Sequence, residues 1–192
     1  MIDLRSVLRL PSRRPRLRVI NVSERPANLE ILLVPETIAA ATLTHLRAAA
    51  ARRCEEFAFW SGHALSERTA IVSRAFHPRT TQSSGHVSID DDEQLLAMTD
   101  LVHEHDELVL CQLHTHPKDA FHSEIDDQGA FTDEVGFLSF VLPDFGERGL
   151  EAAEAYRRTE RGWTPVGPAL ACGLIRIVED LLCYAGGGWC RG

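Results

Sequence analysis

The sequence predicts a mixed α/β fold of the α+β kind, with helices packed against one predominantly antiparallel sheet. Three observations carry that expectation. Apolar runs of strand length recur from residue 29 onward, two amphipathic helical stretches interrupt the earlier ones, and the later ones follow one another with short polar breaks. The resulting order is β-α-β-β-α-β-β-β-β.

Taken in order, LEILLV (29–34) reads as a strand, and Pro35 suits the first turn of the helix that follows. ETIAAATLTHLRAAAARR continues that helix on alanine-rich propensity, with Ile38, Leu43 and Leu46 on its apolar face. CEEFAFWSG (54–62) is a strand ending at Gly62, and RTAIVSRAF (68–76) is its hairpin partner. HPRTTQSSG (77–85) is polar and turn-rich, which predicts a loop. Ser88 or Asp90 caps a helix through DEQLLAMTDLVHEH, with acids at its positive end. ELVLCQLHTH (107–116) is apolar enough for a central strand. Ser123-Glu124-Ile125-Asp126 reads as a helix start, capped by Ser123, with Asp126 in the first turn pointing back towards that strand's end. EVGFLSFVLP (134–143) is a strand stopped by Pro143, and EAYRRTERGWTPV gives two short strands around Glu160-Arg161-Gly162. GLIRIVEDLLCYAGGG fits strand and helix equally well.

The length of 192 residues favours one domain, expected over residues 21–192. Residues 1–20 read as a basic arm, with Arg5, Arg9, Arg13, Arg14, Arg16 and Arg18 against Asp3 before residue 19. A formal net charge of −8 argues against a nucleic-acid binder. No apolar run approaches the roughly 20 residues that span a bilayer. The five cysteines are scattered and odd in number, which argues against a disulfide framework or a cysteine-type zinc site and points to a reducing, cytoplasmic setting.

The chemistry concentrates in CQLHTHPKDAFHSEIDDQ (111–128). Side chains alternate along a strand, so His114 and His116 share a face and Thr115 takes the other. Pro117 ends the strand and leaves both imidazoles at its terminus. A catalytic zinc site takes three nitrogen or oxygen ligands and keeps one position open. The third ligand would be a carboxylate from the following loop, where Asp119, Glu124, Asp126 and Asp127 are the candidates. Upstream, Glu55 and Glu56 begin an otherwise apolar strand. Glu55 alternates with Phe57 and Phe59, and Glu56 with Ala58 and Trp60, so one of the two acids leans onto packed surface and requires a partner or a task. A general base facing a metal-activated water is such a task.

Glu…His-Thr-His-Pro…Ser-x-x-Asp resembles the signature of the JAMM metallopeptidases, the catalytic branch of the Jab/MPN domain family. The resemblance spans roughly residues 29–145 and implies an MPN-type fold, one zinc ion and hydrolysis of an isopeptide or peptide bond at the C-terminus of a ubiquitin-like protein. Carried over by position, His114 and His116 are the imidazole ligands, Asp126 is the carboxylate ligand and Ser123 steadies the oxyanion. The family glutamate stands in E-x-x-G/A-x-x-x-G; Glu55 meets that spacing with Ala58 and Gly62, and Glu56 does not. Glu55 is therefore the expected base, with Glu56 as the fallback. Many members place seven residues between the second histidine and the serine. Here six intervene, Pro117 to His122, which leaves Asp127 open as a ligand.

The resemblance also implies partners: a ubiquitin-like protein or its conjugate, and activating and conjugating enzymes of the operons in which some bacterial relatives sit, some of them linked to phage defence. A sulfur-carrier-processing hydrolase and a non-catalytic MPN scaffold are the other readings. His122 is expected to be a solvated loop histidine rather than a fourth ligand, and Trp60 and Trp163 core or sheet-face aromatics. The single lysine, Lys118, is expected to reflect an arginine-favouring genome.

Overall fold

The computed structural model describes residues 26–83, 86–89, 92–122, 131–180, 182–185 and 188–191. Its backbone is an eight-stranded mixed sheet with a helix on each face. The chain enters as β1 (Ile31–Pro35), α1 (Glu36–Ala50), β2 (Phe57–Ala64) and β3 (Thr69–Phe76). A small hairpin follows, β4 (Thr81–Ser83) with β5 (His86–Ser88), then α2 (Asp92–Glu104) and β6 (Leu108–Thr115). The remainder is β7 (Leu138–Leu142), β8 (Glu154–Thr159), β9 (Gly162–Pro168), β10 (Ile175–Val178), β11 (Leu182–Ala185) and β12 (Gly188–Arg191). The strand order is β10-β1-β3-β2-β6-β7-β8-β9. Four of its seven pairings are antiparallel; β1 runs parallel to β10 and β3, and β6 parallel to β7.

The mixed, mainly antiparallel architecture matches the expectation from sequence. Two local readings change. The stretch at 77–85 is not all loop, because Thr81–Ser83 pairs with His86–Ser88. The ambiguous C-terminal segment is strand: β10 joins the sheet edge beside β1, where Leu32 lies opposite Ile175. β11 and β12 pair with each other in a separate hairpin. The arginine-rich arm expected over residues 1–20 lies outside the described residues.

Two helices cover opposite faces because β2 and β6 are apolar on both. Ala58, Trp60, Cys111 and Leu113 pack with Ala39 and Leu46 of α1 in the main core. Phe59 faces the other way, onto Met98 and Val102 of α2. Trp60 is fully buried, and its indole N–H donates to Thr42 Oγ1 at 2.9 Å. That bond explains a threonine on the buried face of an alanine-rich helix, where Ile38 and Leu43 pack only partly buried against the core. Burying Trp60, Leu46 and Leu113 contributes roughly 1.5–3 kcal/mol each. Gly62 is required by close approach: a Cβ there would stand 1.9 Å from the Ile71 carbonyl oxygen, so β3 could not lie against β2. The glycine of the E-x-x-A-x-x-x-G spacing thus sets how closely β2 packs in the sheet.

Candidate metal centre

β2 and β6 run antiparallel, with Phe57 opposite His114 and Phe59 opposite Gln112. The ladder continues one residue further, because the Thr115 amide donates to Glu56 O at 3.1 Å and the Glu56 amide donates to Thr115 Oγ1 at 3.0 Å. Alternation then assigns the two acids to opposite faces. Glu55 falls on the Phe57 and His114 face, level with His116. Glu56 falls on the Ala58 and Thr115 face, towards α1.

On the first face, His114 is fully buried and His116 is 5% exposed. Their ring centroids are 5.0 Å apart. Two imidazoles bound to one tetrahedral zinc at about 2.0–2.1 Å hold their ring centres about 5 Å apart, so the pair suits that ion. Glu55, also 5% exposed, supplies a buried carboxylate beside it. Among the described residues no three histidine, cysteine, aspartate or glutamate side chains already form a metal-holding group. Ser123, Glu124, Asp126 and Asp127 lie outside the described residues, whereas Asp119 is described and joins no such group.

The described residues that flank 123–130 pack near the histidine face. Before it, the Tyr156 hydroxyl donates to Ala120 O at 2.9 Å, and the His122 ring stacks on Trp163 at 4.5 Å. After it, the Phe131 amide donates to Gln112 Oε1 at 3.4 Å, and the Phe131 ring lies 5.1 Å from Phe59. Gln112 and Phe59 share the His114 face. His122 is therefore not the solvated loop histidine expected from sequence. The local run of polar residues carried no sign of Trp163, which reaches His122 from β9. Trp163 is a sheet-face aromatic as expected, but with a specific neighbour.

A strained turn fixes the backbone after His116. Asp144 and Phe145, just beyond Pro143, both have left-handed φ of 53°. Their amides donate to Lys118 O at 3.1 Å and to His116 O at 2.7 Å. Arg47 of α1 holds the same turn from the other side, donating to Gly146 O at 3.3 Å and Glu147 O at 3.2 Å. The His116 amide donates to Leu142 O at 2.9 Å. The second histidine is thereby held through both its N–H and its C=O by residues more than 20 positions away in sequence.

The second face is arranged differently. Glu56 Oε1 accepts from the Phe57 amide at 3.0 Å and the Thr80 hydroxyl at 2.8 Å. Its Oε2 lies 3.7 Å from His45 Nε2, and the His45 and His77 rings stack at 4.1 Å. Burial pushes the Glu56 carboxyl up, but the His45 imidazole beside it and the bonds from the Phe57 amide and the Thr80 hydroxyl together hold it below the usual carboxylate range. His77 is pushed down to about 4, first by burial and then by the neighbouring His45; Glu56 opposes that shift. Sequence reading missed His45 and His77, because they sit on α1 and just past β3 with no shared spacing.

Residues 35–156 match the family model described as prokaryotic homologs of the JAB domain. A protein called probable metalloprotease y4jG, from Sinorhizobium fredii, is 28% identical over 160 residues, which is 79% of this chain and 97% of that protein. The solution structure of protein DSY2949 from Desulfitobacterium hafniense superposes with a TM-score of 0.59 at 20% identity, covering 79% of this chain and 95% of that one. At that identity the likeness speaks for the fold.

Proposed function

The chain belongs to the prokaryotic JAB-domain family, and from that premise we propose that it is a zinc-dependent isopeptidase or peptidase acting at the C-terminus of a ubiquitin-like protein. One observation carries the reading. Continued by one residue, the β2–β6 register brings buried Glu55 opposite His116, on the face that also carries His114, and the two imidazole ring centres are 5.0 Å apart. The likeness to a probable metalloprotease supports the same class of chemistry.

In this reading His114 and His116 hold the ion through neutral imidazole nitrogens and Asp126 through its carboxylate. Asp126 is preferred on the Ser-x-x-Asp spacing, with its neighbour Asp127 the runner-up. When bound, zinc supplies Lewis acidity, lowering the pKa of a coordinated water to about 7 and polarising a carbonyl. Glu55 accepts the proton of the attacking water and returns it to the departing amine. Ser123 donates its hydroxyl to the oxyanion. Glu56, already engaged with Phe57, Thr80 and His45 on the other face, is a poor competitor for the base role.

An open cleft of about 370 Å³ lies beside the loop after His116, lined by Lys118, Asp119, Pro143, Asp144, Arg148 and Glu154. Such an open, polar-lined cleft suits an extended tail. No helix among the described residues is long and apolar enough to cross a membrane. The test is incubation of the purified protein with a panel of ubiquitin-like fusions and sulfur-carrier adducts, with and without chelator. Chelator-sensitive release of the C-terminal partner supports the reading. Inactivity of zinc-loaded protein on every substrate class overturns it.

A further inference from the structure

We propose that His122 is a positioning residue of the metal centre: it fixes the His114 imidazole by ring packing and does not ligate the ion. The inference rests on the reading of His114 and His116 as metal ligands. A ligating imidazole must be held at one rotation about its side-chain bonds, and groups surrounding the ligands commonly do this. His114 is gripped by rings on three sides. Phe57 lies 5.2 Å away at a tilt of 36°, His116 lies 5.0 Å away, and His122 presents its ring at 90° and 5.7 Å.

His122 is in turn wedged against the β8–β9 hairpin. It stacks on Trp163 at 4.5 Å with an interplanar angle of 27°, and Tyr156 stands 5.4 Å away. Trp163 is itself held by the Arg158 guanidinium, 5.6 Å from the indole centre, and by Phe137 at 6.4 Å. Tyr156 adds its hydrogen bond to Ala120, two residues before His122. A row of rings thus runs from Trp163 through His122 and His114 to His116. It transmits the rigidity of an antiparallel hairpin to a ligand on β6.

The same geometry argues against ligation by His122. His114, His116 and His122 do not form a metal-holding group. A fourth protein donor beside His114, His116 and a carboxylate would also close the position that water needs. Flat stacking on an indole is the arrangement of a packed ring.

The test measures zinc affinity by chelator competition and the visible spectrum of the cobalt(II) form, neither of which requires turnover. His122→Ala should weaken zinc binding by roughly tenfold or more, as for other residues that orient ligands. His122→Phe keeps the ring and should stay within roughly threefold of the original protein, with an unchanged cobalt spectrum. Trp163→Leu breaks the stack from its other side and should reproduce the His122→Ala loss; melts of the metal-free proteins check that each variant folds. Wild-type affinity in both His122→Ala and Trp163→Leu would overturn the proposal. Equal weakening in His122→Ala and His122→Phe, with an altered cobalt spectrum, would overturn it in favour of ligation. If the unmodified protein binds no zinc, the metal centre itself falls and this inference with it.

Discussion

Glu55 and Glu56 are adjacent in sequence, equally buried, and directed to opposite faces of one strand. On the Glu55 side stand two imidazoles whose ring centres are 5.0 Å apart, a spacing that suits one zinc ion. On the Glu56 side the carboxylate accepts from a hydroxyl and a backbone amide and lies beside a histidine, which together keep it ionised. The difference teaches that burial of a carboxylate identifies nothing by itself. What surrounds it decides whether it is a reagent or a brace.

The comparison breaks most sharply through Glu55. Glu55→Gln keeps size and polarity and should lower cleavage by about 10²–10⁴-fold, the usual share of a general base, with the melting temperature nearly unchanged. Steady-state rates on a responsive fusion, together with a thermal melt, check this. His116→Ala should bring a similar loss of activity accompanied by loss of stoichiometric zinc, read by elemental analysis. Glu56→Ala should act in the opposite sense. It leaves the Phe57 amide and the Thr80 hydroxyl without their acceptor, at a cost of about 1–3 kcal/mol. In a chain of this size that lowers the melting temperature by roughly 2–4 °C per kcal/mol. Zinc binding should survive.

The smallest effect is a pH dependence from the brace side. His77 protonates near 4 in the folded protein and near 6.5 when unfolded. Between those values the unfolded chain binds the extra proton, so stability falls as pH drops from about 6.5 towards 4. The depressed carboxyl of Glu56 loses its contribution only at lower pH, as it titrates below the usual carboxylate range. Melts of the protein and of His77→Gln across pH 7 to 5 should therefore diverge, with the variant flatter. Parallel curves would remove His77 from the account.

Much of this was legible in the sequence, for physical reasons. Period-two and period-3.6 patterning is local, so the β2, β3 and β6 strands and both helices could be read directly. The shared face of His114 and His116 followed from strand alternation, and the β2–β6 register keeps both on that face; the choice of Glu55 rested on motif spacing. What stayed hidden depended on contacts across the chain. The short β4–β5 hairpin carries little apolar pattern. The β10 edge strand gains its partner from β1, more than 140 residues earlier. His122 looked like a solvated loop residue because Trp163 lies on a different strand. The left-handed turn at Asp144 and Phe145 runs into Gly146, but neither of the first two residues is a glycine, and their conformation is held by bonds to Lys118 and His116.

The most direct test of the divided strand is one cleavage assay comparing Glu55→Gln with Glu56→Gln, both loaded with zinc and both shown to be folded. The account predicts that Glu55→Gln is silent and binds zinc normally, while Glu56→Gln cleaves at close to the original rate but melts at a lower temperature. A silent Glu56→Gln beside an active Glu55→Gln would contradict it.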